Sequence, residues 1–236
     1  MIRLSLSYSN LLETHLRAHA NLDKAGPMEA YMRHLFPFLG IKSPERVALV
    51  KGFIQEHGVP PQGEELTNTI REVWKLPERE FHYAALQLLE KQLKKLDPAA
   101  IDLLEELVIT HSWWDTVDTL ASRLIGSHFT KYPDLIPIYT ERWIESDNMW
   151  LQRSALLFQL SYKSRTDSAL LFDYIRRTAH SQEFFLRKAI GWTLREYSKT
   201  DESAVRQFVA ETVLSPLSVR EALKHADRKI LLVEVE

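Results

Sequence analysis

Trp114 and Asp118 form the pair in this sequence best suited to chemistry on a cation. They are four positions apart at the end of the stretch Ser112 to Asp118, so on a helix they share one face, one turn apart. A carboxylate stabilises positive charge and can orient an attacking water, and the face of a tryptophan ring attracts cations. For any single tryptophan the alternative is packing in the core. We expect that role for Trp74, Trp143 and Trp150.

Two later stretches, Ser146 to Arg153 and Lys188 to Tyr197, again combine tryptophan with charged side chains. Arg153, Arg187 and Arg220 recur at a nearly constant spacing, which predicts a basic row if the chain is built from stacked repeats. The alternative is that each arginine pairs with an acidic neighbour on a solvated face.

Other chemistries are poorly supported by the composition. The chain has no cysteine, which excludes disulfides, iron–sulfur clusters and a cysteine nucleophile. Its seven glycines are too few for a glycine-rich phosphate loop, a Rossmann fold or an all-β barrel. His15 and His19 have a metal-binding spacing, but no glutamate follows His15 as in zincins. We therefore expect no metal and no cofactor.

The charge balance and hydropathy constrain where such a protein works. Thirty basic and 32 acidic residues leave a net charge of −2, so a nucleic-acid binder of this composition must sort its charges onto different faces. No apolar run approaches the length of a membrane span, and the first residues lack the pattern of a signal peptide. We expect a cytoplasmic protein.

The chain also resembles itself. Short segments in which an alanine has similar neighbouring residues recur at intervals of 33 to 37 residues. This length accommodates two helices and two turns. Neither helix of such a repeat buries its apolar face alone, so neighbouring pairs must stack. The recurring alanines are Ala48, Ala85, Ala121, Ala155, Ala189 and Ala222.

Between these alanines the pattern is helical, with apolar residues three and four positions apart and prolines at the breaks. No convincing strand is present, although residues 230–235 could be extended. The sequence predicts an all-α, curved α-solenoid of about six helical repeats. We expect a single domain over residues 1–236, with 230–236 as a candidate disordered tail. The alternative is an irregular helical bundle in which the repeat is accidental.

Several stretches together resemble one known family over nearly the whole chain, from about Pro27 to about Ala222. They are Pro27–Met28 with Tyr31–Met32, Phe38–Ile41 with Pro44–Arg46, Leu76–Phe81, Ser112–Asp118, Ser146–Arg153 and Ala189–Tyr197. With these stretches the sequence resembles the AlkD family of bacterial alkylpurine DNA glycosylases, which are built from HEAT-like repeats. The resemblance implies excision of cationic N3- and N7-alkylated purines from duplex DNA.

The resemblance also implies roles for individual residues. The family's catalytic aromatic–acid pair corresponds to Trp114 and Asp118, and a further aromatic in a Gly-Trp motif corresponds to Trp192. DNA contacts are implied for Arg153, which matches a phosphate-binding arginine, and for Tyr31. Arg187 and Arg195 are added as DNA-binding candidates from their positions.

The resemblance implies further properties of the reaction and of the protein. Excision would occur without an enclosing base pocket, so selectivity would rest on the lability of the glycosidic bond. No lysine is placed in the cluster to form a Schiff base, which indicates a monofunctional enzyme. We expect a monomer without an obligate protein partner, in a bacterial cytoplasm and associated with the nucleoid through DNA. The alternatives are a non-catalytic solenoid that binds protein or nucleic acid along its concave face, and a solenoid acting on RNA.

Overall fold

The computed structural model describes the backbone of residues 7–233 and the side chains of residues 7–224. Within that part the chain is helical and contains no strand, as the sequence predicts, and its helices pair and stack as in an α-solenoid. It forms two compact units, Met1–Ala100 and Ile101–Glu236. The single domain and its curvature stay predictions.

The described residues of the first unit, from 7 onward, form five helices. They are α1 (Tyr8–Arg17), α2 (Leu22–Tyr31), α3 (Ser43–His57), α4 (Glu64–Trp74) and α5 (Arg79–Gln92). Helix α1 packs on α3 and α4, and α5 packs on α3 and α4. Leu12, Val50, Phe53 and Ile70 are fully or almost fully buried between them.

A buried carboxylate organises the segment between α2 and α3. Glu80, at the start of α5, accepts the backbone N–H groups of Leu39, Gly40 and Ile41, each at 3.0 Å. Gly40 has φ of +81°, and a Cβ there would lie 1.9 Å from the Asn21 carbonyl oxygen, so only glycine fits. Two of the sequence motifs, Phe38–Ile41 and Leu76–Phe81, are therefore in direct contact.

The second unit continues the helical pairs. Its helices are α6 (Ala100–Ile109), α7 (Trp114–Thr119), α8 (Gly126–Lys131), α9 (Leu135–Ile144), α10 (Met149–Leu157), α11 (Ser168–Thr178), α12 (Phe184–Tyr197), α13 (Glu202–Glu211) and α14 (Pro216–Val233). A π-helical turn (Leu120–Ile125) joins α7 to α8, and a 3₁₀ turn (Lys163–Arg165) follows α10. The helical backbone includes residues 230–233 of the expected tail, and residues 234–236 lie outside the described part.

Each recurring alanine except Ala121 lies on the second helix of a pair; Ala121 lies in the π-helical turn between α7 and α8. Ala85, Ala121, Ala155, Ala189 and Ala222 are at most 2 % exposed, in agreement with close helix packing. Ala48 is the exception: it is exposed, because α3 packs through Val50 and Phe53 instead.

Hydrogen bonds across neighbouring pairs show the repeat directly. On the first helices of successive pairs, Tyr139 donates to Asp102 at 2.6 Å, and the hydroxyls of Thr140 and Tyr174 are 2.7 Å apart. On the second helices, α12 packs against both α10 and α14. These contacts hold the register between neighbouring helices.

Helices α12 and α14 approach each other closely at Gly191. A Cβ at this position would lie 2.5 Å from the Glu221 Cβ and 2.9 Å from the Ser218 carbonyl oxygen. We expect Gly191→Ala to lower the free energy of unfolding by about 1–3 kcal/mol, because backbone atoms must move. Urea unfolding measures this change.

A matched control is Gly52→Ala on α3, where a Cβ would meet nothing within 4 Å. Alanine is a better helix former than glycine, so this variant is expected to gain about 0.5–1 kcal/mol. Equal effects of the two substitutions would contradict the close packing at Gly191.

Candidate functional site

A cleft of about 310 Å³ in the second unit brings together most of the site residues predicted from the sequence. It is built on three helices, α7, α10 and α12, which begin at Trp114, Met149 and Phe184, 35 residues apart. Helix α14 contributes one residue. The cleft is lined by Trp114, Asp118, Arg153, Phe184, Phe185, Lys188, Trp192, Arg195 and Glu221.

Helix α7 supplies the aromatic–acid pair. Trp114 is its first residue and Asp118 its fifth, and both line the cleft as their spacing predicts. Helix α7 passes directly into the π-helical turn, whose Ser122 hydroxyl donates to the Asp118 carbonyl at 2.6 Å. Such turns are frequent at functional sites, because they break the regular progression of side chains around the helix.

Arg153 of α10 holds the Asp118 carboxylate in a bidentate ion pair. Its Nε lies 2.8 Å from Oδ1 and its Nη2 3.0 Å from Oδ2, and Nη1 donates to the Phe185 carbonyl. The Asn148 side chain caps α10 by accepting the Trp150 N–H at 2.9 Å, which fixes where this helix begins. Planar guanidinium and carboxylate groups match in this geometry, so the carboxylate is held in one orientation.

Aromatic rings support this ion pair. The Trp113 ring centroid lies 5.8 Å from that of Trp150 and 5.0 Å from that of Phe185, and the Arg153 Cζ lies 5.9 Å from the Phe185 centroid. Trp113 lies in this aromatic cluster and Trp114 in the cleft; the two side chains separate where the backbone changes from extended at Trp113 to helical at Trp114. Trp150 packs in this cluster but is only half-buried, whereas Trp74 and Trp143 are buried as predicted.

Helix α12 presents a stripe of side chains at helical spacing. Phe184, Lys188, Trp192 and Arg195 line the cleft along about three turns. Glu221 of α14 closes this wall, with its Oε1 2.9 Å from the Lys188 Nζ and its Oε2 2.5 Å from the Arg195 Nη1.

Burial dominates the electrostatics of Asp118. Removal from water raises the pKa of the Asp118 carboxyl, and the negative charge of Asp115 adds to this shift. The hydrogen bonds and positive charge of Arg153 oppose it by stabilising the carboxylate. The site therefore holds a poorly solvated carboxylate whose negative charge depends on a single cation.

The predicted basic row of arginines is wrong at Arg187: the fifth residues of α10 and α14 are Arg153 and Arg220, but that of α12 is Lys188. Arg153 is 4 % exposed and paired with Asp118, so it is not a free surface cation. Arg187 donates to the Ser181 carbonyl at 2.9 Å and does not line the cleft. The fifth residue of α12, equivalent to Arg153 on α10, is Lys188, because the helices are 35 residues apart and not 34. Arg187 precedes it and points about 100° away around the helix.

Lys188 also corrects the expectation that the cluster contains no lysine, since its side chain lines the cleft. The sequence reasoning missed Phe184, Phe185 and Glu221 as well. The spacing of Phe184, Lys188 and Trp192 could have revealed the α12 stripe. Glu221 carries no local signal, because only the packing of α14 on Gly191 brings it there.

Besides Arg187, one other predicted DNA-binding residue, Tyr31, does not line this cleft. Tyr31 ends α2 in the first unit and is 71 % exposed. The His15 and His19 rings are 5.2 Å apart, and His19 Nδ1 lies 2.9 Å from the His15 carbonyl oxygen. Among the described side chains, no group of three histidine or acidic residues is arranged to hold a metal ion. No helix in the described backbone is long and apolar enough to cross a membrane.

Comparison with known proteins finds similarity over most of the chain. The family model for DNA alkylation repair enzymes matches residues 12–226. A solved structure described as "Predicted DNA alkylation repair enzyme from Enterococcus faecalis" is 35 % identical, with a TM-score of 0.81 over 87 % of this chain and 95 % of that one. No curated protein sequence gives a significant match.

Proposed function

Because the chain belongs to the DNA alkylation repair enzyme family, we propose that it is a DNA glycosylase that removes cationic N3- and N7-alkylated purines from duplex DNA. The family supports a role in repair of alkylated DNA. The observation that carries the finer proposal is the partly buried Asp118 carboxylate, which shares one cleft with Trp114 and Trp192 and is oriented by Arg153.

The proposed reaction hydrolyses the bond between C1′ of the deoxyribose and the purine nitrogen. An alkylated purine already carries a positive charge, so it leaves as a neutral base with the bonding electron pair. Positive charge then develops on the sugar, as in glycoside hydrolysis. Water adds to C1′ and loses one proton, which leaves an abasic site and the free base.

Asp118 is suited to both halves of this reaction. Its negative charge stabilises the developing sugar cation, and its oxygens can orient the water and accept the proton. Because the carboxylate is largely desolvated, its charge acts more strongly than it would in water. Trp114 and Trp192 add the negative faces of their rings to the same cleft.

Arg153 can serve the carboxylate and the DNA together. A guanidinium has five N–H donors, and three are used by Asp118 and the Phe185 carbonyl. Two remain for a phosphate oxygen at the cleft. We propose the same DNA-binding role for Arg195, which lines the cleft, and for Tyr31 and Arg187, which are exposed and half-buried.

The presence of Lys188 in the cleft does not imply a lyase activity. A Schiff base forms from a free neutral amine, whereas the Lys188 nitrogen is ion-paired with Glu221 at 2.9 Å. The proposed enzyme is therefore monofunctional and leaves the abasic strand uncut. We also propose that it acts as a monomer without a cofactor.

The direct test is release of free base from a duplex that contains one 7-methylguanine. We expect free 7-methylguanine and an alkali-labile abasic site, with no strand cleavage before alkali, because the Lys188 amine is held in an ion pair. An undamaged duplex and the same lesion in RNA are the controls.

The outcomes distinguish the alternatives. Binding to the duplex without base release would support a non-catalytic solenoid. Faster release from RNA than from DNA would support the RNA enzyme. Strand cleavage before alkali would contradict the monofunctional reaction and make Lys188 the candidate amine.

A further inference from the structure

One carboxylate in the cleft bridges two cations. Glu221 contacts Lys188 with one oxygen and Arg195 with the other, at 2.9 and 2.5 Å. Its side chain is 14 % exposed, compared with 37 % for Lys188 and 26 % for Arg195. The two cations are thus more accessible than the acid that bridges them.

Charges in the cleft are unevenly matched. Asp118 and Arg153 balance each other's charge in a bidentate ion pair. The remaining charged groups are Lys188, Arg195 and Glu221, two cations for one anion. This excess positive charge lies beside the proposed reacting residues.

The bridging position of Glu221 depends on close backbone packing. Its Cβ lies where any side chain at position 191 would be, so Gly191 is required for α14 to place the carboxylate between the two cations. The hydrogen bond from Lys188, followed by that from Arg195, lowers the pKa of the Glu221 carboxyl against the opposing effect of burial. In the free protein the carboxylate therefore occupies the position between the two cations.

A carboxylate and a phosphodiester share the feature that matters here: two oxygens that carry one negative charge between them. Lysine binds phosphate as a point charge, and arginine binds it through a planar fork. On α12 the two cations are seven residues, or two turns, apart, on the same stripe as Trp192. A ligand that bridges both cations therefore also lies against the tryptophan.

We propose that Lys188 and Arg195 form a binding site for one phosphodiester of duplex DNA, whose place Glu221 holds in the free protein. This inference rests on the proposed action on DNA. Phosphate enters by displacing the carboxylate from its two cations, so Glu221 weakens DNA binding while it keeps the cations in position.

The test is equilibrium binding of undamaged duplex DNA to Glu221→Gln at low salt. Binding should strengthen by about fivefold, the order expected for one screened charge contact, and the gain should shrink as salt is added. Lys188→Ala in the Glu221→Gln background should abolish the gain. Glu202→Gln removes the same charge from an ion pair with Arg206 outside the cleft and should leave binding unchanged.

Unchanged or weaker binding by a folded Glu221→Gln protein overturns the proposal. If Glu221→Gln melts at a lower temperature than the wild type, the deciding variant is Lys188→Ala in the wild-type background. The proposal requires that Lys188→Ala weaken duplex binding several-fold. Release of 7-methylguanine by the wild type is measured in parallel. Base release without stronger binding by Glu221→Gln rejects this phosphate site only, whereas a wild type that neither binds duplex nor releases base rejects the proposed function as well.

Discussion

Asp118→Asn is expected to slow excision of 7-methylguanine by about 10²-fold or more, the effect of losing one preorganised electrostatic contact. Asparagine keeps the size of the side chain but removes the charge that stabilises the sugar cation. DNA binding should survive or improve, because Arg153 then lacks its negative partner. Single-turnover base release and duplex binding measure the two effects separately.

Asp115→Asn is the matched control, since it removes the same charge three residues earlier on α7. Its rate should stay near that of the wild type. If folded Asp118→Asn excises normally and Asp115→Asn does not, the catalytic acid is Asp115. Loss of excision together with unfolding would assign Asp118 a structural role.

The pH profile gives the same prediction a second readout. Burial raises the pKa of Asp118, and only the ionised carboxylate stabilises the cation. The excision rate should therefore fall as the pH is lowered through this raised pKa. Asp118→Asn should lack this acidic decline, because its amide does not titrate in that range.

Arg153→Ala is expected to lower the free energy of unfolding by about 3 kcal/mol, because it leaves the Asp118 carboxylate buried without a partner. The Phe185 carbonyl also loses its donor. Excision should fall with it, since the neutral acid becomes favoured and the carboxylate is no longer oriented. Urea unfolding and single-turnover base release measure these losses.

Salt dependence separates the two roles of Arg153. If it contacts a phosphate, Arg153→Ala should reduce the slope of log affinity against log salt by about 0.9, for damaged and undamaged duplex alike. An unchanged slope would mean that Arg153 only holds Asp118.

The control for the stability loss of Arg153→Ala is Arg142→Ala. It breaks an exposed pair with Glu105 and should change the free energy of unfolding by less than about 1 kcal/mol.

Much of the fold follows from features that the sequence displays locally. Apolar spacing and the recurring alanines predict stacked helices, and the structure contains them, because an amphipathic helix must bury its stripe against a neighbour. The placement of Trp114 and Asp118 on one face is equally local, since four residues make about one turn. Both side chains line the cleft.

Contacts between helices required the tertiary structure. The sequence suggested that Arg187 is equivalent to Arg153, but the equivalent residue on α12 is Lys188. The difference is one residue, and one residue rotates a side chain by about 100°. Where a helix begins depends on local features such as the Asn148 cap, which a count of residues between repeats does not contain.

By itself, the sequence determined the helical repeat and the aromatic–acid pair, because both follow from the geometry of a single helix. Only the tertiary structure decided the partners of the charged groups: Arg153 with Asp118, and Glu221 with Lys188 and Arg195. Those choices depend on the distance and rotation between packed helices. At Gly191, the absence of one Cβ determines how closely two of those helices approach.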